Sequence, residues 1–139
     1  MRNRFILSII SPIFIVAFAM ISIGCTENFA DRCRREAKEF TEKQCPHPVD
    51  PMIDLDSMLY VDEPQGFAYY YTLHGEADND SLITDELMEV FRNRLCDKLR
   101  TDITMKPYKE RQFSFSYIYM SKSTGKEMVN IMLTPEDYR

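Results

Sequence analysis

Hydrophobic and polar positions divide this chain into an apolar leader and four periodic blocks. Phe5 to Ile23 is a nearly continuous apolar run, broken only by Ser8, Ser11, Pro12 and Ser22. Beyond it, Phe29, Cys33, Ala37 and Phe40 recur at the 3.6-residue period of one helix face, with charged residues on the other faces. That spacing predicts a helix from Asn28, a capping residue type, to Gln44, stopped by Pro46. Ile53, Leu55, Leu59 and Val61 then alternate with Asp54, Asp56, Met58 and Tyr60, the pattern of a strand, with Ser57 on the apolar side as a bulge candidate. Glu63-Pro64-Gln65-Gly66 has turn chemistry and leads into a second strand, Phe67 to Leu73. After a polar loop, Ile83, Leu87, Val90, Phe91, Leu95 and Leu99 trace a second helix, capped at Asp80 or Ser81 and ending near Arg100. Two more alternating runs, Gln112 to Ser121 and Lys126 to Thr134, flank Lys122-Ser123-Thr124-Gly125.

The order helix, hairpin, helix, hairpin defines an α+β fold. The expected form is a four-stranded, mostly antiparallel sheet with two helices on one face. Phe67, Tyr69, Tyr71 and Leu73, with Phe113, Phe115, Tyr117, Tyr119, Val129, Ile131 and Leu133, would pack under the helices. Phe67-Ala68-Tyr69-Tyr70-Tyr71 echoes Phe113-Ser114-Phe115-Ser116-Tyr117, a weak internal repeat.

Arg2 and Arg4 before the apolar run, and small residues after it, follow the grammar of an export signal. The ending Ser22-Ile23-Gly24-Cys25 resembles a bacterial lipobox, with Ser22 where that motif favours Leu. The resemblance implies cleavage before Cys25, lipidation of Cys25 and anchoring in the cell envelope. By the sorting rules of such lipoproteins, Thr26 in place of Asp implies the outer membrane. An uncleaved membrane helix and an ordinary secretory signal are the alternatives, since the run is long enough to span a bilayer. The expected division is residues 1–24 as signal peptide, 25–27 as lipidated cysteine and tether, and 28–139 as one α+β domain.

Lys and Arg number 17 against 22 Asp and Glu, and the leader removes two of the arginines. So acidic a remainder argues against nucleic acid as a partner, which needs a basic face. Three cysteines follow Cys25. Cys33 and Cys45 would lie roughly 18 Å apart on one helix at 1.5 Å per residue, too far for a disulfide. Cys45 with Cys96 is the candidate pair, against three free thiols.

The search for catalytic or metal chemistry is short. GxSxG, HExxH and phosphate-cradling glycine loops are absent, and His47 and His74 are the only histidines. The acidic loop Glu76-Ala77-Asp78-Asn79-Asp80 lacks the glycine an EF-hand needs at its sixth position, where Ile83 stands. The expectation is therefore no enzyme, no cofactor and no metal. The alternative is a small-ligand or metal-binding lipoprotein using that loop and the histidines.

The uncovered sheet face would carry Met58, Tyr60, Tyr70, Ile118, Met120, Met128 and Met132 among Thr72, Ser114, Ser116 and Asn130. Methionine adapts to irregular partners and tyrosine is enriched at interfaces. This face is the candidate contact surface for a protein partner, unless those residues merely tile a half-exposed sheet. Cys45-Pro46-His47-Pro48-Val49-Asp50, Phe67 to Tyr71, Leu95-Cys96 and Tyr117-Ile118-Tyr119 also look like landmarks of small exported bacterial proteins of unassigned function. That resemblance implies the architecture and no chemistry.

Overall fold

A computed structural model describes residues 26–139; the leader and Cys25 lie outside the described residues. Five strands and four α-helices follow in the order α1 (Phe29–Gln44), β1 (His47–Asp50), β2 (Ile53–Val61), β3 (Gly66–Leu73), α2 (Asp85–Thr101), α3 (Lys106–Lys109), β4 (Ser114–Ser121), β5 (Glu127–Leu133) and α4 (Pro135–Tyr138). The strands lie side by side in sequence order as one sheet. Three pairings are antiparallel, and β3 pairs with β4 in parallel. The expected α+β class and both hairpins are present, but the sheet is mixed and has five strands rather than four. The fifth is β1, in the Pro-rich connector, where Pro48 and its neighbours make a short edge strand. Proline is tolerated on such an edge, because its missing N–H costs no ladder bond there.

Helix α1 begins where its cap predicts. The Asn28 side chain accepts from the Asp31 amide at 2.8 Å, and Cys33 and Ala37 are fully buried. Those two small residues let the helix sit close to β2. Thr41 then locks it there: its hydroxyl donates to the Met58 carbonyl at 3.0 Å and accepts from the Met58 amide at 2.9 Å.

Helix α2 starts later than its apolar pattern suggests. Asn79 accepts from the Ser81 amide at 3.0 Å, and this local bond diverts residues 80–82 into a 3₁₀ turn. Thr84, not Asp80 or Ser81, is the cap. The helix crosses back over the sheet, and this is why β4 runs parallel to β3. A crossover helix returns the chain to the same end of the sheet, as a tight turn cannot.

Both long helices cover one sheet face. Phe67, Phe113, Phe115 and Leu133 are fully buried beneath them, with Val129 and Ile131 beside. Gly66 marks the closest strand approach: a Cβ there would lie 1.9 Å from the Ser114 carbonyl oxygen. Helix α4, unforeseen from sequence, closes the core. Its Tyr138 is buried against Phe115, and its hydroxyl donates to the Phe113 carbonyl at 2.7 Å. Arg92 of α2 reaches the Asp137 carboxylate at 2.7 Å, and Arg100 donates to the Asp137 carbonyl at 2.7 Å. Two of the four cations on α2 are thus spent on holding α4.

Candidate functional site

The proposed contact face is only partly assembled. A register shift between Leu55 and Ser57 turns the second half of β2 over. Met58 and Tyr60 therefore lie opposite Tyr69 and Phe67 and pack against the core. They belong to the helix side, and Leu59, half exposed, takes the open side. A bulge does this because one extra residue reverses the alternation that follows it. Met128 sits at a second register shift, in β5, and it too packs against the core. Tyr70, Ile118, Met120 and Met132 remain on the open face. Ile118 is buried among its neighbours, Tyr70 and Met120 are intermediate, and Met132 is exposed.

Cys33, Cys45 and Cys96 are all free thiols, so the Cys45–Cys96 bond is not made in this structure. Burial pushes the Cys33 and Cys45 thiols up from their ordinary pKa, away from the reactive thiolate form. His74 lies 3.3 Å from Asp54, and His47 is exposed on β1. In the acidic loop, the Ser121 hydroxyl and then the Ser123 amide, which donates at 2.8 Å, hold the Asp78 carboxylate below the usual range. Among the described residues, no three His, Cys, Asp or Glu side chains gather as a metal site.

The chemically richest concavity lies on the helix side. The parallel register sets Tyr69 beside Tyr117 and Tyr71 beside Tyr119. Each pair stacks, with ring centroids 5.4 and 4.6 Å apart and planes 17° and 10° from parallel. The four rings floor a cleft with two adjoining hollows of about 310 and 150 Å³. Phe91, Arg94, Leu95 and Lys98 of α2 form one wall and Val49 of β1 lines it too, while Asp102 and Met105 close the far end.

Tyr60, Tyr108 and Tyr138 hydrogen-bond within the chain. Among the described residues the four cleft hydroxyls do not, and no buried side-chain oxygen lacks a partner, so these hydroxyls reach the cleft surface. Burial of their rings raises all four pKa values, that of Tyr71 to about 12. They stay neutral hydrogen-bond donors at physiological pH. Arg94 and Lys98, four residues apart on α2, make no ion pair among the described residues. The other two cations of that helix do, Arg92 with Asp137 and Arg100 with Asp97.

Sequence alternation placed these tyrosines under the helices as ordinary core. It could not show that β3 and β4 pair in parallel, nor that the helices leave a gap above them. The echo between Phe67–Tyr71 and Phe113–Tyr117 was the available signal. The pairing runs two residues beyond that echo, joining Phe67 to Phe115.

These features define a mixed-sheet α+β domain with its helices on one face and a tyrosine-floored cleft beneath them. The chain belongs to the family described as "Domain of unknown function (DUF8479)", whose profile matches residues 28–129. Among solved structures it is similar to a presumed secreted protein of Pseudomonas aeruginosa. The TM-score is 0.64 at 11% identity, over 79% of this chain and 92% of that one. No curated protein matches it. Among the described residues no helix is long and apolar enough to cross a membrane.

Proposed function

We propose that this chain is an exported envelope protein, tethered by lipid on Cys25, that works by binding rather than by catalysis. The observation that carries the reading is the cleft. It offers four tyrosine hydroxyls without hydrogen-bond partners among the described residues, beside two cations that make no ion pair among them, and neither histidine lines it. Such a site holds a ligand by donated hydrogen bonds and apolar contact, and it has no nucleophile activated by a neighbouring base. Export is supported by the leader pattern and by the structural neighbour described as secreted.

Two measurements test it. Mass spectrometry of the membrane-extracted protein should find residues 1–24 removed and acyl chains on Cys25. A fragment screen read by amide shifts should give hits that cluster on Tyr71, Tyr117, Leu95 and Lys98. An intact leader removes the tether, and hits scattered elsewhere remove the cleft.

A second reading rests on the open sheet face, where Leu59 and Met132 are exposed beside Tyr70 and Met120. This would be a contact surface for an envelope protein. Recovery of the same partners with Met120→Asp plus Tyr70→Asp as with the unaltered chain, fold intact, eliminates it.

A further inference from the structure

We propose that the tyrosine cleft takes a small organic anion, a carboxylate or phosphate carried on a short apolar body. The proposal rests on the binding reading above and adds the ligand's chemistry and orientation. The anionic group would lie against Arg94, Lys98 and the hydroxyls of Tyr71 and Tyr117, the residues at or beside the junction of the two hollows. The apolar body would lie along Val49, Phe91 and Leu95 in the larger hollow.

Three observations converge on that class. First, Arg94 and Lys98 are the cations of α2 that make no ion pair among the described residues; Arg92 and Arg100 are committed to α4 and Asp97. In a chain with net charge −5, unpaired neighbouring cations over a concave floor form a local anion trap. Second, the hydroxyls beside them are neutral donors seeking acceptors. A ligand oxygen can satisfy several at once, and a charged acceptor makes each such bond stronger. Third, Asp102, the one carboxylate lining the cleft among the described residues, stands only in the smaller hollow. One of its oxygens accepts from the Thr104 amide and hydroxyl at 2.8 and 2.6 Å, and its charge acts on Lys98, so Arg94 is the uncompensated cation of the larger hollow. The volume admits only a small molecule, since about 310 Å³ is at the lower limit of ligand pockets.

The test uses tyrosine emission, which is unobscured because the chain has no Trp. The full-length protein in non-ionic detergent is titrated with butyl phosphate, with pentanoate and with neutral 1-pentanol. Saturable binding of at least one anion, with a Kd below about 1 mM, and none of pentanol is expected. Response to one anion and not the other identifies the headgroup. Arg94→Gln with Lys98→Gln should weaken binding roughly tenfold or more, while the thermal midpoint and circular dichroism stay unchanged. Tyr71→Phe should weaken it a few-fold. Equal binding of pentanol and the anions overturns the proposal and leaves the cleft as a binding site. Anion binding unaffected by the double variant, or no anion binding at all, overturns it as well.

Discussion

Raising the pH should unfold this protein through its cleft. Tyr69, Tyr71, Tyr117 and Tyr119 have folded-state pKa values raised by burial, that of Tyr71 to about 12 and the other three at least as far. In the unfolded chain each titrates near its ordinary value of about 10. The folded state therefore holds protons that the unfolded state has released. The associated stability is fully present below pH 10 and is lost as the pH climbs toward the folded values. Each such group costs about 1.4 kcal/mol per pH unit once its unfolded form is ionised, so four together cost about 5.5 kcal/mol per unit. A domain of this size has only about 5–15 kcal/mol of stability. The expected result is cooperative unfolding between about pH 10.5 and 12. Tyrosinate absorbance near 295 nm and far-ultraviolet circular dichroism should change together. Replacing Tyr69 and Tyr117 by Phe should halve the slope of stability against pH. If more than half of the eight tyrosines ionised below about pH 11 with dichroism still native, the cleft rings would not be buried as described.

Further expectations follow from single contacts. Gly66→Ala should cost about 3 kcal/mol or more, because the added carbon meets the backbone of Ser114, which cannot yield as a side chain would; urea unfolding measures it. Tyr138→Phe should cost about 1–2 kcal/mol by stranding the Phe113 carbonyl, again by denaturant. The bond from the Thr134 amide, with Arg92, holds Asp137 below the usual aspartate range. Its contribution is complete above the unfolded value of 3.8 and fades as the pH falls through the lowered one. Asp137→Asn should therefore remove part of the acid-dependent loss of stability in a melting series below pH 4. A thiol reagent under native conditions should modify Cys45 before Cys33 and Cys96, which are buried; simultaneous reaction of all three would contradict the packing.

What the sequence made legible was whatever depends on near neighbours. Helix α1 was readable to within a residue, since its cap, stripe and stop all lie on the helix itself. The four long strands were readable because alternation is a local property. The partition of the sheet faces was right for β3 and β4 and for β5 beyond Met128, where alternation runs unbroken; the register shift at Met128 put that residue on the helix side instead of the open one. The partition failed for the second half of β2, where one extra residue near Ser57 exchanges the faces of Met58 and Leu59. Ser57 on the apolar side was the visible trace. Strand order was not legible at all, because hairpin signals fix pairs and not how one pair joins the next. The cleft was missed for the same reason: it exists only where two strands from different hairpins meet in register.

The parallel seam also explains why a chain with so many aromatic residues leaves some of them open. The rows from Phe67 and from Phe115 run side by side, and at their start they are sealed. Phe67 and Phe113 pack with Phe29 and Tyr108 in edge and tilted contacts of 5.0–5.9 Å. Farther along, phenylalanine gives way to tyrosine on both strands. A phenol can end a packed column at a cleft without stranding a polar group, because its ring stays buried while its hydroxyl reaches the cleft surface. Under the binding reading proposed above, four tyrosines in two stacked pairs, beneath a helix whose Arg94 and Lys98 make no ion pair among the described residues, are a surface kept available. Asn28 caps α1 at the sealed end, where Phe29 meets Phe113 at 5.8 Å. Under the proposed tether at Cys25, the membrane would therefore lie beside that sealed end, and the tyrosine rows would lead away from the bilayer toward the solvent side of the envelope.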